Sequence, residues 1–211
     1  MATNLSGKRV LITAGPTWVP LDAVRIISNT ASGETGILLA QALAQKGARV
    51  TLMLGPVKAG YKDNSVKVIN FKFFNEFCTL LKNELEKKRY AIIIHSAAVA
   101  DYAPSGPDKR KKISSGLRAL RLNLKPTPKI IDSLRKTNPD SFLIGFKFES
   151  DLQRDELIKR ANRLMKRAGL DLVVANSLCE KKYTAYLIGA KKHSGPFFSK
   201  KNMVKNLVRL I

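Results

Sequence analysis

Apolar residues follow two patterns along this chain: short continuous runs, and longer segments with apolar residues three or four apart. The runs predict buried strands and the segments predict amphipathic helices. The predicted strands are 9–13, 49–54, 66–71, 90–95, 142–148 and 172–175. The predicted helices are 33–46, 74–88, 129–136, one that opens at a capping box over 150–153 and reaches about 167, and 200–210. Because strands and helices alternate, we expect an α/β fold with a mostly parallel central sheet and crossover helices.

The pattern changes after residue 103. Residues 103–115 read as a loop, the alternation over 117–124 predicts a strand, and 184–188 predicts an edge strand. We find no internal repeat and no low-complexity linker, so we expect one domain over residues 1–211. The 103–125 segment is expected to be a mobile flap or an arm for a partner subunit.

Composition narrows the class of protein. The 211 residues are 45% hydrophobic, which suits a globular core. No apolar run is long enough to span a bilayer and the first residues lack a signal-peptide layout, so we expect a cytoplasmic protein. Cys78 and Cys179 have no metal-ligand spacing and are predicted to be buried free thiols. We predict that His95 ends a core strand and that His193 lies in a loop.

The formal net charge is +22. Residues 109–136 carry ten Lys or Arg against one Asp, and 181–211 carry eight and no acid. Such a field attracts polyanions, including nucleotides, and allows nonspecific affinity for nucleic acids. The charge fits either a solvated basic surface or a surface for an anionic partner.

Residues 27–36 are the most informative stretch for chemistry. They form a loop of small residues that follows the first predicted strand and opens the first predicted helix, with Asn29, Ser32 and Gly33 in it. Such a loop presents free N–H groups beside the positive end of a helix dipole, where a phosphate or carboxylate can bind. The three residues are either a helix cap or an anion site. The stretch lacks the glycine fingerprint of dinucleotide sites and the Gly-Lys-Ser/Thr of a P-loop.

Three further groups each have two interpretations. Asp101 follows a buried strand, so it either caps a turn or binds a ribose hydroxyl, a base amine or Mg²⁺. The basic run 109–112 is either a solvated loop or part of a flap that closes over a triphosphate and neutralises departing pyrophosphate. Arg163 and Arg167 share one helix face and form either a surface stripe or a phosphate clamp.

Six blocks of this sequence, taken in order, resemble the phosphopantothenoylcysteine synthetase family. They are 7–17, 20–33, 55–57, 97–102 (Ala-Ala-Val-Ala-Asp-Tyr), 145–149 (Gly-Phe-Lys-Phe-Glu) and 171–176 (Asp-Leu-Val-Val-Ala-Asn). The resemblance covers about residues 7 to 180. It implies a Rossmann-like three-layer fold with a flap and dimerisation arm, and a homodimer.

The resemblance also implies an activity. That family joins 4′-phosphopantothenate to L-cysteine in coenzyme A synthesis, through an acyl-nucleotidylate made from CTP or ATP with Mg²⁺. CTP is the expected nucleotide here, from the bacterial look of the 97–102 block. The flavodoxin-like decarboxylase half of the fused enzymes does not precede these blocks, so we expect decarboxylation to belong to a separate chain.

By the same resemblance, Asn29 binds the acyl intermediate, and Ser32 and Gly33 seat the substrate phosphate. Lys109 acts in cysteine transfer and Phe146 packs against the base. The residues implied to contact the nucleotide are Ala98, Asp101, Lys109, Thr127, Pro128, Lys129, Ile130, Phe146, Arg163 and Arg167. Metal ligands are not assigned.

Two features depart from the family pattern. Thr127-Pro128-Lys129 replaces Asn-Pro-Asp, and arginines stand at 163 and 167 where many members have lysines, which changes donor geometry. Two alternative functions are an NAD(P)-dependent Rossmann oxidoreductase, which the missing glycine fingerprint disfavours, and a nucleic-acid-binding protein, which only the charge supports.

Overall fold

The computed structural model describes residues 5–58, 61, 64–105, 111–180 and 182–211. The strands described are β1 Arg9–Ala14, β2 Trp18–Pro20, β3 Ile26–Ser28, β4 Arg49–Leu54, β5 Lys67–Asn70, β6 Ile92–His95, β7 Tyr102–Pro104, β8 Leu124–Pro126, β9 Phe142–Ser150, β10 Leu172–Cys179, β11 Lys182–Gly189 and β12 His193–Phe197. The helices are α1 Glu34–Ala44, α2 Phe74–Lys87, α3 Ile130–Thr137, α4 Arg154–Ala168 and α5 Lys200–Leu210.

The main sheet confirms the predicted α/β fold. Eight strands follow the order β12-β11-β10-β9-β6-β1-β4-β5. The six from β10 to β5 are parallel, and β11 and β12 add an antiparallel edge. The chain order reverses between β1 and β6, and open sheets of this kind bind ligands at the carboxyl ends of the strands beside such a switch point.

Helices cover both faces of the sheet, because successive side chains of a buried strand point to opposite sides. In β1, Val10 and Ile12 join one core cluster and Leu11 joins the other. The first cluster packs against α1 and α5, and the second against α2, α3 and α4. The expected three-layer arrangement is therefore confirmed. No helix within the described ranges is long and apolar enough to cross a membrane.

Several local predictions are wrong. Only Leu124 of the segment 117–124 belongs to a strand, and Leu117, Leu120 and Leu122 are 42–53% exposed, because an alternating pattern forms a strand only where a partner packs against it. The predicted edge strand 184–188 lies one position inside the edge, because β12 pairs with it. His193, which was predicted to lie in a loop, is the first residue of β12.

Two further predictions, of a helix cap and of buried cysteines, are wrong. Helix α4 begins after Gln153 without a side-chain cap, so the capping box over 150–153 is not formed. Cys179 is exposed and Cys78 is half-buried, although both are free thiols as expected. Cys179 is the last residue of β10, and the final two residues of this strand are exposed.

His95 is buried at the end of β6, as predicted. Its Nδ1 lies 2.9 Å from Thr13 Oγ1 in β1 and its ring stacks on Phe77. Burial lowers the pKa of His95 to about 4, because the imidazolium would lose its water without gaining a carboxylate. The folded protein therefore keeps this side chain neutral where an unfolded chain would protonate it.

This difference predicts a pH-dependent stability. Between pH 6.5 and 4 the unfolded state binds a proton that the native state refuses, so stability falls as pH falls, by up to about 3 kcal/mol at 1.36 kcal/mol per pKa unit. His95→Gln should lose this part of the slope in urea-unfolding measurements across that window. The control His193→Gln, at an exposed site, should keep it. An unchanged slope in His95→Gln would contradict the assignment.

Candidate functional site

The loop between β1 and α1 brings a helix N-terminus against the end of the central strand. Gly33 is the N-cap of α1 with φ +71°, a backbone conformation that favours glycine, and it has no side chain to close the helix end. A Cβ at Gly36 would lie 2.3 Å from the Ala14 Cβ, so only glycine allows α1 to approach β1 this closely. The Ser32 hydroxyl accepts a long bond of 3.4 Å from Glu34 N. This geometry suits an anion better than a side-chain cap.

The segment after β6 remains hydrogen-bonded to the segment after β1, past the carboxyl ends of both strands. Ala98 N donates to Gly15 O at 2.9 Å, and Thr17 N donates to Ala98 O at 3.3 Å. The Thr17 hydroxyl accepts from Ala100 N at 2.9 Å. Residues 96–101 are thereby fixed beside the β1–α1 loop.

Asn29 ties these two segments together. Its amide nitrogen donates to Ala98 O at 3.0 Å and to Val99 O at 3.2 Å. Both partners are carbonyl oxygens, which only accept, so the nitrogen of the amide must face them and Oδ1 must face away. The exposed Asn29 therefore borders the crevice, which is the space between the β1–α1 loop and residues 96–101, and its side-chain oxygen is directed away from the two carbonyls.

The predicted nucleotide loop lies on the α2–α3 side of this wall. Thr127 is buried, its hydroxyl donates to Ala100 O, and its N–H donates to Asp101 O at 2.9 Å. Lys129 pairs with Asp101, with both side chains largely exposed. Ile130 packs on a small cluster that includes Ala100. Thr127 thus positions the loop, and Asp101 and Lys129 are its accessible charged groups, with Pro128 exposed between them.

Phe146 lies on the other face of the sheet, packed against the core under α1. The register places Asn176 of β10 beside Phe148, two residues further along β9 on the same face. The Asn176 side-chain oxygen and the Tyr183 hydroxyl are buried there without a hydrogen-bond partner among the described residues. Burial, and then the charge of Glu34 in the first turn of α1, raise the pKa of Tyr183 to about 12, so it stays protonated. A buried polar group without a partner is costly unless a ligand or water completes it.

The two arginines of α4 are separated by their contacts. Arg167 Nε bonds Asp132 in the first turn of α3 at 3.1 Å. Arg163 lines a groove of about 450 Å³ formed by α4 residues that include Asp155 and Lys166. Within the described ranges, no ion pair or hydrogen bond joins Arg163 to the loop of Thr127–Ile130. The structure thus brings Arg167 next to α3 and leaves Arg163 on the outer side of α4.

The family model for the DNA/pantothenate metabolism flavoprotein C-terminal domain matches residues 5–211. The chain belongs to this family. A coenzyme A biosynthesis bifunctional protein CoaBC from Thermococcus kodakarensis is 40% identical over 176 residues, which is 83% of this chain and 42% of that protein. A cysteine/cysteine sulfinic acid decarboxylase from an unknown prokaryotic organism is 41% identical over 82% of this chain and 47% of its own length.

The fold of this pantothenate-metabolism domain has a solved counterpart. The DNA/pantothenate metabolism flavoprotein from Streptococcus pneumoniae has a TM-score of 0.85 and 25% identity, covering 96% of this chain and 97% of that chain. The chain spans less than half the length of the two curated relatives it matches.

The segment 106–110, with the predicted catalytic Lys109, lies outside the described residues. The chain that follows it is anchored by Asp22, whose carboxylate accepts from Ile113 N at 3.1 Å and from Arg25 Nη1 at 2.8 Å. Burial alone would raise the pKa of Asp22, but hydrogen bonds from the backbone N–H groups of Val24, Ile113 and Arg25, and the Arg25 charge, lower it overall. The domain therefore keeps an ionised carboxylate that fixes the backbone at Ile113.

The sequence did not predict three features: the hydrogen bonds from Asn29 to the segment after β6, the hydrogen bond from Ile113 to Asp22, and the unpartnered oxygens of Asn176 and Tyr183. The first two join residues 69 to 91 positions apart, which no local pattern reveals. Asn176 did carry a signal, because it follows the predicted strand 172–175 at the edge where such sheets bind ligands.

Proposed function

We propose that this domain is a phosphopantothenate–cysteine ligase that works through an acyl-nucleotidylate in coenzyme A synthesis. Its family membership and a relative named for coenzyme A biosynthesis support this activity. The observation that carries the proposal is the Asn29 bridge, which holds the loop before α1 against the wall formed by residues 96–101. A ligase of this kind needs a phosphorylated acid and a nucleotide in one crevice.

The chemistry is activation of an inert carboxylate. A carboxylate oxygen of phosphopantothenate attacks the α-phosphorus of the nucleotide, and the bond to pyrophosphate breaks. The amine of cysteine then attacks the acyl carbon, loses a proton, and releases the nucleoside monophosphate. Ser32 and Gly33 are proposed to seat the substrate phosphate, while Oδ1 of Asn29 accepts from the pantothenate part of the intermediate.

The nucleotide is proposed to lie across the carboxyl ends of the strands, with its base on one face of the sheet and its triphosphate on the other. Phe146 would contact the base, and Ala98, Asp101, Pro128, Lys129 and Ile130 would border the triphosphate, with Thr127 fixing the loop behind them. The unpartnered Asn176 oxygen lies on the same face of the sheet as Phe146, two positions further along the strands, and we propose that it accepts from the amino group of cytosine. This supports CTP, and it disfavours UTP, which has a carbonyl at that position.

We propose that the nucleotide would bring Mg²⁺, whose charge would polarise the phosphate oxygens. The described residues contain no group of three His, Cys, Asp or Glu side chains that could hold a metal. Mg²⁺ commonly needs only one or two carboxylates plus substrate phosphates, and Asp101 is the carboxylate placed at this edge.

Further proposals concern three basic residues, the oligomeric state and the decarboxylation step. Lys109 would act in cysteine transfer, and Arg163 and Arg167 would add positive charge near α3. A homodimer through the 103–125 arm is supported by the exposed leucines at 117, 120, 122 and 124. Decarboxylation would belong to a separate flavin domain, and the protein would act in the cytoplasm. The family match leaves the oxidoreductase alternative without support.

A pyrophosphate-release assay tests the proposed function. With phosphopantothenate and Mg²⁺, CTP should release pyrophosphate, ATP less, and UTP and GTP little, because the buried acceptor at Asn176 leaves an unpaired oxygen against the wrong base. Cysteine should increase the total released by allowing turnover. Release that ignores phosphopantothenate, or that is equal for CTP and UTP, would count against the proposal.

Asn29→Asp tests the bridge itself. A carboxylate accepts but cannot donate, so both bonds to the carbonyl oxygens of Ala98 and Val99 are lost, although the bonds to Gly15 and Thr17 keep residues 96–101 in place. Product formation should fall by at least about tenfold, as expected for lost hydrogen bonds at a reacting site. The exposed position should leave the melting temperature nearly unchanged. The matched control is Asn206→Asp, whose amide also donates to a main-chain carbonyl, on α5. Normal turnover by the Asn29 variant would mean that the bridge has no role.

A further inference from the structure

A second pocket opens at the amino-terminal edge of the sheet, opposite to the crevice. Its volume is about 480 Å³, within the range of ligand sites. Four cations surround it, from the first residues of β1, β4 and β5 and from the residue after α2. These are Arg9, Arg49, Lys67 and Lys88.

The two arginines are not neutralised within the part of the chain that the structure describes. Arg9 and Arg49 are register partners on adjacent parallel strands, so two like charges lie side by side. Arg9 Nε donates to Arg89 O at 2.7 Å, which orients its guanidinium without cancelling its charge. Among the described residues neither guanidinium pairs with a carboxylate.

One buried carboxylate serves both lysines. Glu84 lies 3.2 Å from the Lys67 Nζ and 3.0 Å from the Lys88 Nζ, and it accepts a hydrogen bond from the buried Tyr90 hydroxyl. Burial alone would raise the pKa of Glu84, but these hydrogen bonds lower it overall, and the bond to Glu84 raises the pKa of Lys88. Glu84 therefore stays ionised, and among the described residues it is the one carboxylate paired with any of the four cations of the pocket, so positive groups are in excess there.

We propose that this pocket binds a small anion of the diphosphate class. Its convergent cations gain most from a ligand with several negative oxygens, and guanidinium groups match phosphate oxygens in pairs. The Tyr90 ring and Thr51 form a firm floor, because the Tyr90 hydroxyl donates to Glu84 and lies 3.1 Å from the Thr51 hydroxyl. The site is separate from the crevice and does not depend on the ligase proposal.

Calorimetric titration at fixed ionic strength tests this site, with pyrophosphate in one arm and ADP in the other. The variant is Arg49→Gln, because its side chain has no bond within the described structure. The control is Arg209→Gln, in the last turn of α5 and outside the lining of the pocket, which removes the same charge. Arg49→Gln should weaken binding at one class of site by about tenfold, as expected for a charge-assisted bond. Amide shifts of Val50 and Thr51 on titration of the wild-type protein should report the location.

A loss in both arms of the Arg49 variant alone identifies the diphosphate group as the recognised feature. A loss only with ADP identifies a nucleotide as the ligand. Equal weakening in both variants, or no change in either, would overturn the proposal, because a general field of positive charge would then account for all binding. Since the crevice residues are intact in both variants, failure of the ligase activity would leave this comparison valid.

Discussion

The candidate active site depends on one side-chain amide. Asn29 uses its nitrogen on the carbonyls of Ala98 and Val99, and these bonds close the gap between the β1–α1 loop and the segment after β6. Without them, the described contacts between the β1–α1 loop and residues 96–101 would be the hydrogen bonds at Gly15 and Thr17. The same amide is left with an oxygen that can meet a ligand, so one residue both builds the crevice and faces it.

Most of the fold was predictable, because it rests on patterns that the chain carries locally. The continuous runs of β1, β4, β6 and β9 are buried on both faces, and only parallel strands covered by helices need such runs. The predictions failed where burial depends on distant partners. Leucines alternate over 117–124, but most of this segment pairs with no strand. Strand β12 joins the main sheet by pairing with β11, and no local pattern in the sequence predicts that pairing.

The site was predictable in part. The small-residue loop before α1 showed where an anion could bind, since that signal lies within ten residues of sequence. The partner of Lys129, the burial of Thr127 and the unpartnered Asn176 oxygen required the folded chain, because each depends on contacts across strands. The large positive charge shows the same distinction. Composition gives its total, whereas only the structure places Arg9, Arg49, Lys67 and Lys88 around one pocket at the edge away from the crevice.

The central claim is that a carboxylate oxygen becomes bonded to the α-phosphorus of a nucleotide in this crevice. The most direct measurement uses phosphopantothenate with both carboxylate oxygens replaced by ¹⁸O, and mass analysis of the products after turnover with cysteine. The account predicts that one labelled oxygen appears in the nucleoside monophosphate and none in pyrophosphate. An unlabelled monophosphate, or label in released inorganic phosphate, would contradict it.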